Sequence, residues 1–178
     1  MFDPALIDDA TRLLAGLRAR NLMITTAESC TGGLIAALLT EIPGSSDVVD
    51  CGFITYSNSA KQHLIGVSAD ILARHGAVSA AVAMAMAEGA LKQAPQATIT
   101  VSVTGVAGPG GGSEAKPVGL VHFGCAMTDQ PTVHRECRFG DLGRADIRLA
   151  TVREALDLIR SVMSGQPVAP LGEGRGGG

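Results

Sequence analysis

Tryptophan is absent from the 178-residue chain, tyrosine occurs once and phenylalanine four times. Charge is also scarce: 17% of residues are Asp, Glu, Lys or Arg, and the formal net charge is −3. A net acidic chain without stacking aromatics lacks the basic footprint and the π-surfaces on which nucleic acids are bound. Nucleic acid is therefore set aside as a partner. No uncharged apolar run approaches the roughly 18 residues that span a bilayer, and Asp3, Asp8 and Asp9 interrupt any signal-peptide reading of the start. The expectation is a cytoplasmic protein with no membrane partner. Cys30, Cys51, Cys125 and Cys137 form no C-x-x-C pair, so reduced thiols are the default. His63, His75, His122 and His134 are scattered without ligand spacing, and neither a metal nor a cofactor is expected.

Apolar residues make up 46% of the chain and Gly occurs 23 times, enough for one well-filled soluble domain with glycine-rich loops. From Pro4 to about Arg20, Leu6, Ala10, Leu13 and Leu17 fall on one helical face behind Asp3, a candidate N-cap. Met23 to Thr26 suits a short buried strand that delivers the polar stretch Glu28 to Gly33, and Leu34 to Thr40 then reads as a buried helix stopped by Pro43-Gly44. A second strand is predicted over Val48 to Thr55, followed by a helix capped by Ser57 or Asn58 that contains Lys61. Ser79 caps an alanine- and methionine-rich helix from Ala80 to about Gln93. Thr98 to Thr104 is a β-branched strand leading into the glycine loop Gly105 to Ser113. Val118 to Met127 and Thr132 to Phe139 make an antiparallel hairpin, and a last helix covers Arg144 to Met163.

Alternating helices and strands that give way to a hairpin argue for an α/β fold: a three-layer α/β/α single domain with a mixed β-sheet, over residues 1 to 164. Gly165 to Gly178 is Gly- and Pro-rich with little to bury and reads as a disordered tail. Small-residue helices in so apolar a domain leave surface for self-association, and a homodimer is expected.

Three polar loops follow strand ends, where α/β sheets place their ligands. In the middle one, Tyr56 and Lys61 stand close to the hydroxyls of Ser45 and Ser46, which precede the same strand. A serine needs a base before it can attack a carbonyl, and a lysine whose pKa is lowered by burial can be that base. A phenol between them could relay the proton. The opposing reading makes Lys61 a solvated helix residue, Tyr56 a sheet-edge residue, and Ser45 and Ser46 turn caps. Thr31, Gly32 and Gly33 offer backbone N–H groups at a helix start suited to phosphate, or else form a capped turn with packing glycines. The loop Gly105 to Ser113 has neither a Walker A nor a dinucleotide fingerprint, which leaves close backbone approach to a planar or phosphorylated ligand, or a mobile turn. Cys30 is a rival nucleophile without an assigned base. Arg144 and Arg148, one helical turn apart, could grip an anion or form a solvated face.

The ordered blocks Thr26-Ala27-Glu28-Ser29-Cys30-Thr31-Gly32-Gly33, Pro43-Gly44-Ser45-Ser46, Thr55-Tyr56-Ser57-Asn58 with Lys61, His75-Gly76-Ala77-Val78-Ser79, and Thr104 to Gly111 with Lys116-Pro117-Val118-Gly119 resemble the CinA carboxy-terminal domain family over roughly Leu6 to Met163. The resemblance implies hydrolysis of the carboxamide of nicotinamide mononucleotide to nicotinic acid mononucleotide and ammonia, so the implied partner is a small pyridine nucleotide. It implies Ser46 as nucleophile, Lys61 as base and Tyr56 as proton relay, with Ser29 and Ser45 as alternative serines. Ser29, Thr31, Gly32, Gly33, Ser45, Thr104, Gly105, Gly108, Gly110, Arg144 and Arg148 are the candidate substrate-binding residues. The same motifs without turnover would leave a nucleotide-binding or interaction module.

Overall fold

A computed structural model describes residues 2 to 166. The predicted tail falls mostly beyond them: 167 to 178 lie outside the described residues, while Gly165 adopts a left-handed conformation that closes the last helix. The elements run α1 (Pro4–Ala19), β1 (Ile24–Glu28), α2 (Leu34–Glu41), a 3-10 turn (Ser45–Asp47), β2 (Val49–Ile54), α3 (Asn58–Ile65), α4 (Ala69–His75), α5 (Ala80–Gln93), β3 (Ile99–Gly105), β4 (Leu120–Met127), β5 (Val133–Arg138) and α6 (Arg144–Ser164).

The five strands form one mixed sheet in the order β2-β1-β3-β4-β5. β1 is parallel to both β2 and β3, while β3–β4 and β4–β5 are antiparallel, as the hairpin prediction requires. Side chains alternate across the sheet, so Ile24, Ile99, Val101 and Val103 meet α1, α2 and α6 on one face and join the main apolar cluster. The other face takes α3, α4 and α5 over a smaller cluster built from Ala27, Ile65, Val82, Met86 and Ala90. These layers are the α/β/α arrangement expected from the sequence.

The second face is held close by small and polar residues rather than bulk. Ser102 donates its hydroxyl to the Ala83 carbonyl of α5 at 2.6 Å, and a Cβ on Gly124 would stand 2.5 Å from that same oxygen. α5 can lie on β3 and β4 only because position 124 has no side chain. A Cβ on Gly89 of α5 would meet the Ile65 carbonyl at 1.9 Å, so α3 is also drawn tightly against α5.

Local signals explain most boundaries. Asp3 Oδ1 accepts from Leu6 N at 2.9 Å with Pro4 opening α1, and Ser57, not Asn58, caps α3 by accepting from Ala60 N at 3.0 Å. Two elements depart from the sequence reading. α4 is a short helix, capped by Ser68 and ending at His75, in a stretch where the sequence reading places no element. Ala27 and Glu28 belong to β1 rather than to the loop after it, because they continue its pairing with Phe53, Ile54, Ser102 and Val103.

Candidate active site

β1 reaches β2 through α2 on one face of the sheet and is followed across to β3 through helices on the other, so the connections diverge at β1. In parallel sheets the crevice beyond the carboxyl ends of such strands is the ligand site. Here those ends deliver Ser29 after β1, Thr55 and Tyr56 after β2, and Thr104 and Gly105 in β3. A cavity of about 210 Å³ opens between them, lined by Ser29, Cys30, Tyr56, Lys61, Thr104, Gly105 and Arg144, and also by Ala77, Val78 and Ala107.

Lys61 is the chemical centre of the cavity. It is only 1% exposed, sits in the first turns of α3, and points its ammonium back toward the strand ends. Its Nζ donates to Ser29 Oγ at 3.0 Å and to the Thr55 carbonyl at 2.8 Å, with the Tyr56 carbonyl at 3.5 Å. Among the described residues no carboxylate forms an ion pair with it. Burial accordingly lowers its pKa below the ordinary lysine value of 10.5, with the Cys30 side chain acting weakly in the opposite direction. A lysine in this state gives up its proton more readily than a solvated one, and once neutral its lone pair faces the Ser29 hydroxyl.

The structure separates Ser46 and Ser45 from Lys61. Both sit on the 3-10 turn before β2, whereas Tyr56 and Lys61 follow its far end, and the six intervening residues of strand span about 20 Å. The two serines line a different cavity, of about 280 Å³, beside Thr40, Asp50 and Cys51. Chain proximity misled here because a strand carries its two ends apart. Tyr56 does line the active cavity, but it is its carbonyl that faces Lys61. Its phenol stands at the mouth, 61% exposed, and accepts from Arg144 Nη2 at 3.2 Å. No hydrogen bond joins the phenol to Lys61 or Ser29, so a relay through it has no geometric support.

The expected phosphate site at Thr31, Gly32 and Gly33 is already occupied by the protein. The buried carboxylate of Glu28 accepts from the amides of Gly33, Ile35 and Ala36 at 2.8–3.1 Å and from the Thr31 hydroxyl at 2.7 Å. The capped-turn reading of this stretch is the observed one. Arg148 is also committed: its Nη2 donates to the Thr31 carbonyl at 2.6 Å, and it does not line the cavity. Gly110 faces open space, and Gly108 offers its carbonyl to Arg144 Nη1 at 2.9 Å. Arg144 alone of the two arginines reaches the cavity, pinned between the glycine loop and Tyr56. Thr104 lines the cavity while its hydroxyl proton is given to the Ala77 carbonyl at 2.8 Å.

Cys30 adjoins the cavity, but burial pushes its thiol up to about 11, so it rests protonated. Among the described residues no three His, Cys, Asp or Glu side chains converge on a metal-sized site, and no helix is long and apolar enough to cross a membrane.

The model of the CinA C-terminal domain matches residues 8–163. The chain is 49% identical over 142 residues to a nicotinamide-nucleotide amidohydrolase, PncC, of Escherichia coli, covering 79% of this chain and 86% of that protein. It is 54% identical over 152 residues to a CinA-like protein of a Synechococcus strain, covering 85% of this chain but only 36% of that longer relative. Among solved structures, a competence/damage inducible protein from Agrobacterium tumefaciens superposes with a TM-score of 0.88 at 50% identity, covering 91% of this chain and 98% of that one. A CinA superfamily protein from Klebsiella pneumoniae superposes with a TM-score of 0.85 at 34% identity, covering 90% and 98%.

Proposed function

Because this chain belongs to the CinA C-terminal domain family, we propose that it is an amidohydrolase that cleaves the carboxamide of nicotinamide mononucleotide, with Ser29 as nucleophile and Lys61 as its base. The observation that carries the reading is the 3.0 Å contact between a buried lysine, without a carboxylate partner among the described residues, and a serine hydroxyl on the cavity wall.

Besides the substrate the reaction consumes only water. Neutral Lys61 takes the Ser29 proton as Oγ bonds to the carboxamide carbon, and the carbonyl oxygen becomes an oxyanion. Collapse of that intermediate breaks the C–N bond while the Lys61 ammonium returns its proton to the nitrogen, which leaves as ammonia. Lys61, neutral again, then deprotonates a water that attacks the acyl-serine, and that proton passes to Ser29 Oγ as its bond to the carbonyl carbon breaks; the acid released gives its remaining proton to ammonia or solvent. General-base assistance contributes about 10²–10⁴-fold and each oxyanion donor about 3 kcal/mol in such reactions. The cavity has room for a ring-sized group, which suits a pyridine carboxamide inserted ring first. The ribose phosphate then extends toward the mouth, where the Arg144 guanidinium is placed to meet it.

Ammonia release from purified protein supplied with nicotinamide mononucleotide tests the reading. Ser29→Ala and Lys61→Ala should each abolish it while leaving the fold intact. Binding of the nucleotide without ammonia release by the unaltered protein would instead favour a silent binding module.

A further inference from the structure

A carboxylate that is 1% exposed and has no basic partner among the described residues needs a reason to be there. Glu28 immediately precedes Ser29, and all of its partners are neutral donors from the turn and helix that follow. Oε2 accepts from the Thr31 hydroxyl at 2.7 Å and from the Gly33 and Ile35 amides at 3.0 and 3.1 Å. Oε1 accepts from the Ala36 amide at 2.8 Å and lies 3.4 Å from the Thr26 hydroxyl. α2 has no side-chain cap of its own, since its N-cap is Gly33 at φ +97°. Glu28 supplies that cap from the preceding strand.

The backbone around Ser29 is fixed on both sides as a result. Its N–H donates to the Val103 carbonyl at 3.1 Å, and its carbonyl accepts from Gly32 N at 3.1 Å. Glu28 then binds the amides of Gly33, Ile35 and Ala36 in the turn and helix. The N–H groups of Cys30 and Thr31, which directly follow the serine, face the Cys30 sulfur.

We infer that Glu28 is a positioning residue for the Ser29–Lys61 pair: its carboxylate locks the turn that aims the Ser29 hydroxyl at Lys61. The inference rests on the proposed function above. A neutral amide at position 28 keeps the shape but cannot accept all of these bonds, because one of its terminal atoms becomes a donor. The turn then relaxes without any change at the mouth where substrate is held.

The experiment compares Glu28→Gln, Thr31→Val and Ser29→Ala with the unaltered chain. It measures kcat and KM for nicotinamide mononucleotide, the rate of Ser29 labelling by a fluorophosphonate probe, and the folded fraction by circular dichroism. For Glu28→Gln we expect kcat per folded molecule to fall about tenfold or more, KM to stay within about threefold, and labelling to slow in parallel. Thr31→Val, which removes a single donor, should show the same pattern at several-fold, and it decides the matter if Glu28→Gln does not fold. Unaltered kcat and labelling in folded Glu28→Gln, or in Thr31→Val where Glu28→Gln does not fold, would overturn the positioning role and reduce Glu28 to a helix cap. Activity surviving in Ser29→Ala would overturn the underlying mechanism and this inference with it.

Discussion

Ser29 Oγ and Lys61 Nζ meet at 3.0 Å although they lie 32 positions apart, because the strands that precede them are neighbours in register. Glu28 pairs with Ile54 in the parallel β1–β2 ladder, and Thr55 N extends that ladder by donating to the Glu28 carbonyl at 2.7 Å. The chain after β2 is therefore held beside the chain after β1. Ser57 starts a helix there, and one turn later Lys61 reaches back across to the serine.

Ser46→Ala should leave kcat/KM within about twofold of the unaltered protein, since its hydroxyl belongs to a different cavity beyond the other end of β2. Steady-state ammonia release measures this. A loss of a hundredfold or more would restore Ser46 to the reaction.

Removing the cap of α3 should loosen the lysine's platform. Ser57→Ala deletes the acceptor for Ala60 N and should cost about 1 kcal/mol of stability, or about 2–4 °C in Tm. Thermal unfolding followed by circular dichroism checks the value.

Gly89→Ala tests whether the approach of α3 to α5 sets the site. The added Cβ would fall 1.9 Å from the Ile65 carbonyl, so α3 must move. Overpacking of this kind costs about 1–3 kcal/mol, and the displacement of Lys61 should lower kcat beyond the loss of folded protein. Unchanged activity in the folded fraction would show that the helix spacing is not critical.

Arg144→Ala should raise KM for nicotinamide mononucleotide about tenfold or more with a smaller effect on kcat, because the proposed charge-assisted contact to phosphate is remote from the reacting carbon. The corresponding riboside, which lacks the phosphate, should be insensitive to the substitution. Equal losses on both substrates would make Arg144 a support for Tyr56 and the Gly108 loop instead.

Much of the fold could be read from the sequence. The capping side chains of Asp3, Ser57 and Ser79, the β-branched run into Thr104 and the short 127-to-133 connection announce their elements locally. The site was legible in part. Lys61, Tyr56, Thr104, Gly105 and Arg144 all line the cavity, because strand ends in an α/β sheet gather in one place. The choice of serine was not, since it depends on which strands pair and on the length that β2 puts between its ends. Glu28 also left no local trace: it caps α2 from the preceding strand, outside the spacing at which a helix supplies its own capping residue. Ala77 and Val78 were missed as well, since lining a cavity with a backbone turn requires no distinctive side chain.

The central claim is that Lys61 acts as a neutral amine, and a titration of that nitrogen tests it most directly. Burial lowers the folded pKa, so the base is absent below that value and appears as pH rises through it. NMR of protein carrying isotope-labelled lysine, assigned with Lys61→Met, should give a Lys61 midpoint below 10.5, and kcat/KM should rise with pH through the same midpoint to a plateau. A Lys61 midpoint at or above 10.5, or a rate that does not follow the titration, would contradict the account.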